Sequence, residues 1–123
     1  MSEATQVVMS LIDAFNSRDL DAISEHFTDT SVYHNIPMEK VTGTAAIREV
    51  LNGFVGMSTA IDWVLVNIAE DAEGKVLTER VDRFEINGKW LELPVMGTFE
   101  VSGGKIQAWR DYFDLNQFQS QLA

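Results

Sequence analysis

With 123 residues and a mass of 13.8 kDa, the chain has room for one domain, expected to span residues 1–123. Nineteen acidic side chains against nine basic ones leave a net charge of −10, which repels phosphate backbones and anionic lipid heads and excludes nucleic acid and membrane surfaces as expected partners. With no cysteine and two histidines, disulfides, thiolate zinc sites and cysteine nucleophiles are ruled out, and a Ser-His-Asp or His-rich metal site has little to work with.

Helices come first. Val7, Val8, Leu11, Ile12 and Phe15 recur at helical spacing over roughly residues 4–17. A second helix is expected from Asp19 to Thr28-Asp29, with Leu20, Ile23 and Phe27 on one face. Ser31 to Pro37 reads as extended, because Val32 and Tyr33 favour strand and Pro37 biases Ile36 away from helix. Thr42-Gly43-Thr44 opens a third helix with Ile47, Leu51 and Phe54 as its buried stripe, ended by Gly53 and Gly56. Four β-rich segments follow: Ile61–Ala69, Lys75–Ile86, Lys89–Val101 and Lys105–Phe113. Asn87-Gly88 between two of them is the strongest hairpin signal in the chain. Leu115 to Leu122 has the pattern of a short closing helix. The longest apolar run, Trp63–Val66, is far too short to span a bilayer. The acidic opening MSEATQ does not read as a signal peptide, so the expected compartment is the cytoplasm. Three N-terminal helices followed by a long-stranded meander predict an α+β fold, the helices packed in a curved, mostly antiparallel sheet that leaves a cone with an apolar mouth.

Side chains two apart on a strand share a face. Tyr33 pairs with Asn35, Arg80 with Asp82, and Asp111 with Trp109 and Phe113. If these faces point inward, a pocket lined by Phe84, Leu93, Val95, Phe113 and Phe118 holds an Arg and two Asp. Two carboxylates and one guanidinium carry −1 in a low-dielectric space, and the relief is for one Asp to bind a proton. One acid and one base result. The base can take a proton from a water held by Tyr33 and Asn35, and the acid can protonate a substrate oxygen, with neither metal nor cofactor. Each residue also has a plainer reading: Arg80 and Asp82 as a surface ion pair worth under about 1 kcal/mol, Tyr33 and Trp109 as packing, Asn35 as a turn former. Asp111 between two aromatics is the exception, since a lone buried carboxylate is costly.

At Val76–Asp82, Gly104-Lys105-Ile106 and Trp109–Asp114, with Tyr33-His34-Asn35 upstream, the chain resembles the limonene-1,2-epoxide hydrolase family. That family belongs to the cone-shaped group that includes nuclear transport factor 2, SnoaL-like proteins and ketosteroid isomerase. The resemblance implies Asp111 as the base that deprotonates the attacking water, Tyr33 and Asn35 as its holders, Asp82 as the acid on the epoxide oxygen, and Arg80 as the bridge between the carboxylates. It implies one-step opening to a vicinal diol, with the lining residues and Trp109 against a small apolar, cyclic epoxide. Longer family members carry an extra leading segment, so the mouth is expected to be more open here. Two other readings stand beside it: a cyclase or isomerase in the same cone, and a non-catalytic ligand-binding module. The outer sheet face, offering Val81, Trp90 or Tyr112, is expected to bury against a twin subunit as a homodimer.

Overall fold

In the computed structural model, which describes residues 1–122, amphipathic helix α1 (Glu3–Asn16) is capped by Ser2, whose hydroxyl accepts from Thr5 N at 3.1 Å. Its buried stripe of Val8, Leu11, Ile12 and Phe15 faces the sheet. Asp19 caps α2 (Leu20–Ser24), which is shorter than its apolar spacing predicts. The chain leaves the helix because Ile106 N donates to His26 O at 2.8 Å, which draws Phe27 into the sheet as the first residue of β1 (Phe27–Asn35). Phe27 is therefore a strand residue and not part of the helical face. A two-residue strand, β2 (Val41–Thr42), went unpredicted. The third helix, α3 (Thr44–Met57), runs through Gly53 and Gly56 and buries Ile47, Leu51 and Val55.

The strands β3 (Ala60–Glu70), β4 (Val76–Ile86), β5 (Lys89–Ser102) and β6 (Lys105–Tyr112) match the expected segments to within one residue at each end. Asn87 and Gly88 both take positive φ, 53° and 76°, the geometry of the tight β4–β5 hairpin turn that pairs Ile86 with Lys89. The six strands form one sheet in the order β2-β1-β6-β5-β4-β3, antiparallel throughout except for the parallel β1–β6 pair. That pair arises because β1 and β6 are joined through the rest of the chain rather than by a hairpin. Register shifts at Leu65/Asn67 and Glu100/Val101 mark the bulges that add to the sheet's bend. Helix α4 (Leu115–Leu122) follows β6, so among the described residues the helices number four: three N-terminal and the closing one. The architecture is the expected α+β cone, with one aromatic-rich core between the helices and the sheet's inner face.

Candidate active site

One register row crosses the sheet from Asn35 on β1, through Asp111 on β6 and Gly97 on β5, to Thr78 on β4. Arg80 stands two residues along β4 from Thr78, and Asp82 two further, all three on the buried face by the strand's period of two. The Arg80 guanidinium lies between the carboxylates. Its Nε and Nη2 donate to Asp82 Oδ1 and Oδ2, each at 3.0 Å. Its Nη1 and Nη2 donate to Asp111 Oδ1 and Oδ2 at 3.2 and 2.8 Å. The remaining Nη1 hydrogen goes to Thr78 Oγ1 at 3.1 Å. Both acids are thus held by forked, charge-assisted pairs, the strongest geometry available to them. Trp109 Nε1 donates to Asp111 Oδ1 at 2.7 Å, and its ring is held by Tyr33 and Phe99 at centroid distances of 4.4 and 5.3 Å. Tyr33 Oη donates to Asn35 Oδ1 at 3.0 Å, which orients the amide and leaves the Asn35 nitrogen available as a donor.

Arg80 is 1 % exposed and Asp82 and Asp111 are each 4 % exposed, so this is a buried ionic cluster with one more negative than positive group when both acids ionise. Burial pushes the Asp82 carboxyl up to about 6; the Arg80 charge and hydrogen bonds pull it back, and the Asp111 charge adds to the rise. Burial opposes the Arg80 charge, but Asp111 and then Asp82 outweigh it and raise the guanidinium above its ordinary value. Burial, then the Asp111 charge, raises the Tyr33 phenol, which keeps it a neutral donor. The carboxylates of Asp82 and Asp111, with Tyr33 and Asn35, face a narrow, partly open cavity of about 30 Å³. The rest of the lining is apolar, from Phe84, Leu93, Val95, Phe113 and Phe118 together with Phe15, Leu51, Phe54 and Trp63. Among the described residues, no group of three or more His, Asp or Glu converges as a metal site.

The model of the limonene-1,2-epoxide hydrolase catalytic domain matches residues 2–123. The chain belongs to this family. Epoxide hydrolase EphG of Mycobacterium tuberculosis is 33 % identical over 111 residues, covering 88 % of this chain and 71 % of that protein. The solved structure of a limonene-epoxide-hydrolase-like epoxide hydrolase from M. tuberculosis superposes with a TM-score of 0.83 at 30 % identity, over 98 % of this chain and 90 % of that one. A SnoaL-like protein of Shewanella putrefaciens shares the fold with a TM-score of 0.86 at 16 % identity, over 99 % and 97 % of the two chains. Family and cone architecture therefore agree with the resemblance read from the motifs.

Of the residues singled out from sequence, the structure brings Tyr33, Asn35, Asp82, Asp111, Phe84, Leu93, Val95, Phe113 and Phe118 around one cavity. Arg80 lies behind the two carboxylates rather than in the lining. Trp109 is not among the residues that line the cavity; it is fully buried behind Asp111. Its parallel partner Tyr33 covers it, so it reaches the site only through its indole N–H. The central strip of Trp109-Arg110-Asp111 also divides as alternation requires, with Arg110 on the outer face paired to Glu100 at 2.9 Å. Phe15, Leu51 and Phe54 were visible as helical stripes, but only the packing of α1 and α3 over the sheet makes them pocket wall. Trp63 lies opposite Asp82 across β3–β4, stacked on Phe15 at 4.0 Å and with Arg80 Cζ 4.7 Å from its ring centre.

Proposed function

We propose that the protein is a cofactor-independent epoxide hydrolase that adds water in one step to small apolar, cyclic epoxides. The observation that carries this reading is the buried Asp82–Arg80–Asp111 cluster, whose two carboxylates face the same apolar cavity as Tyr33 and Asn35. Asn35 donates to the water and Tyr33 fixes Asn35, so the water's hydrogens turn toward Asp111. As the water oxygen bonds to an epoxide carbon, Asp111 takes its proton, the C–O bond of the ring breaks, and Asp82 delivers a proton to the departing oxygen. Water and epoxide become a vicinal diol. Asp111 is left protonated and Asp82 ionised, and proton exchange with solvent restores both. Arg80 makes the division of labour possible: its positive charge is shared by two acids, and one proton between them completes the balance. The apolar walls exclude other water and strengthen each of these charged contacts.

The same proposal includes a cytoplasmic homodimer. Val64, Val66, Met96 and Tyr112 are each more than 40 % exposed on the outer sheet face, an apolar surface suited to a second copy. No helix of the described residues is long and apolar enough to cross a membrane.

The test is hydrolysis of an epoxide panel that includes limonene oxide and cyclohexene oxide. The expected result is diol formation, lowered by about 10²–10⁴-fold in Asp82→Asn and Asp111→Asn. Full activity in either variant, or no diol from any epoxide, would refute the reading.

A further inference from the structure

Arg80 on β4 and Asp111 on β6 are not on neighbouring strands, because β5 runs between them. Strands lie about 4.8 Å apart, so two sheet positions separated by an intervening strand are about 10 Å apart at the backbone. For the guanidinium to reach Asp111 it has to pass over β5, at the level where Gly97 pairs with both Thr78 and Asp111. A Cβ placed on Gly97 would lie 2.5 Å from Arg80 Nη1, 2.5 Å from Asp111 Oδ1 and 3.0 Å from Thr78 Oγ1. Real carbon–oxygen and carbon–nitrogen contacts do not come that close, and all three atoms belong to buried groups already fixed by hydrogen bonds. The backbone of Gly97 does not need a glycine, since its φ is not among the positive ones. A glycine inside a strand costs stability and leaves nothing to pack, so the position calls for another reason.

We propose that Gly97 and Thr78 are positioning residues that together set the Arg80 bridge, Gly97 as the slot the guanidinium crosses and Thr78 as the stop that fixes its rotation. Arginine has five N–H donors. Four go to the two carboxylates and the fifth to Thr78 Oγ1, which is itself anchored by donating to Gly97 O at 3.3 Å. With all five satisfied, the plane of the guanidinium has one orientation, and both carboxylates are presented to the cavity at fixed angles. Without the Thr78 acceptor one buried N–H is left unpaired, and the guanidinium can turn toward one carboxylate at the expense of the other. With a side chain at position 97, Arg80 and Asp111 have to separate.

This inference rests on the hydrolase reading for its kinetic consequences, though not for its geometry. The experiment uses the full chain and three variants, Gly97→Ala, Thr78→Val and Thr78→Ser, with two readouts. The first is the ¹H–¹⁵N spectrum of the arginine side chains. The parent should show resolved, slowly exchanging Arg80 Nη resonances; these should be lost or broadened in Gly97→Ala and Thr78→Val and retained in Thr78→Ser. The second is kinetics on cyclohexene oxide. Displacing a catalytic group by about 1 Å costs on the order of 10²-fold, so kcat should fall about that far in Gly97→Ala and about tenfold in Thr78→Val. KM should stay within about threefold of the parent in both, because neither residue lines the cavity. Thr78→Ser, which keeps the hydroxyl, should remain close to the parent. Unchanged Arg80 resonances and kcat in Gly97→Ala, or Thr78→Ser as impaired as Thr78→Val, would overturn the inference. If Gly97→Ala does not fold, the Thr78 pair decides alone. A parent that opens no epoxide would sink the hydrolase reading, and the arginine spectra would still decide the positioning claim.

Discussion

At Asp82 burial raises the carboxyl's affinity for a proton while the Arg80 charge opposes the rise. The Asp82 carboxyl holds a proton to about pH 6 in the folded protein, against an ordinary value of 3.8. The proposed acid is therefore lost as pH rises through about 6, and kcat/KM should fall on that alkaline side, by up to tenfold per pH unit. The same shift acts on stability. Between about pH 4 and pH 6 the native state binds more protons at Asp82 than the unfolded chain does, so this group's contribution is present in acid and is lost as pH rises through that window. Melting curves of the parent and Asp82→Asn at pH 4.5 and 7.5 check this: the difference between the two proteins should shift against the variant at the lower pH. Trp109 acts one layer deeper. Trp109→Phe keeps the aromatic packing and removes the donor to Asp111 Oδ1, so kcat should drop about tenfold while KM for an apolar epoxide stays nearly constant.

At the level of elements, α4 closes the wall. Phe118 meets Phe54 and Phe84 at centroid distances of 6.0 and 6.3 Å. The helix is clasped to β5 by Gln121, whose amide accepts from Glu92 N at 3.0 Å and donates to Glu92 O at 2.8 Å, as a strand neighbour would. Gln121→Ala should speed amide hydrogen exchange in α4 and leave that of β4 and β6 unchanged, with a global stability loss of about 1–2 kcal/mol. Elements were also where the sequence was most legible. Alternation by two puts Tyr33 with Asn35 and Arg80 with Asp82 on shared faces, without saying which face is inner, and Asn87-Gly88 locates its hairpin. What it could not show depends on register between distant strands. Nothing local to Gly97 reveals that it lies opposite Asp111 on one side and Thr78 on the other. Nothing local to Phe27 reveals that Ile106 will draw that stretch into the sheet after a single turn of helix. Alternation with Asp111 puts Trp109 on the same face, but its depth below the cavity wall is set by Tyr33 on another strand.

For the molecule as a whole, the inner face of the sheet carries the buried Asp82–Arg80–Asp111 cluster and the outer face carries exposed Val66, Met96 and Tyr112. Sedimentation at working concentration should give twice the 13.8 kDa chain mass, and Met96→Glu with Tyr112→Glu should return it to the chain mass without loss of fold. A single-chain mass for the parent would refute the dimer. Direct attack by a water that Asp111 deprotonates can be followed in one turnover of excess enzyme on cyclohexene oxide in ¹⁸O-labelled water. Label is expected in the diol from the first turnover, and no diol on that timescale from Asp111→Asn. Unlabelled diol in the first turnover, with label appearing in a protein carboxylate afterwards, would mean a covalent ester and contradict direct attack.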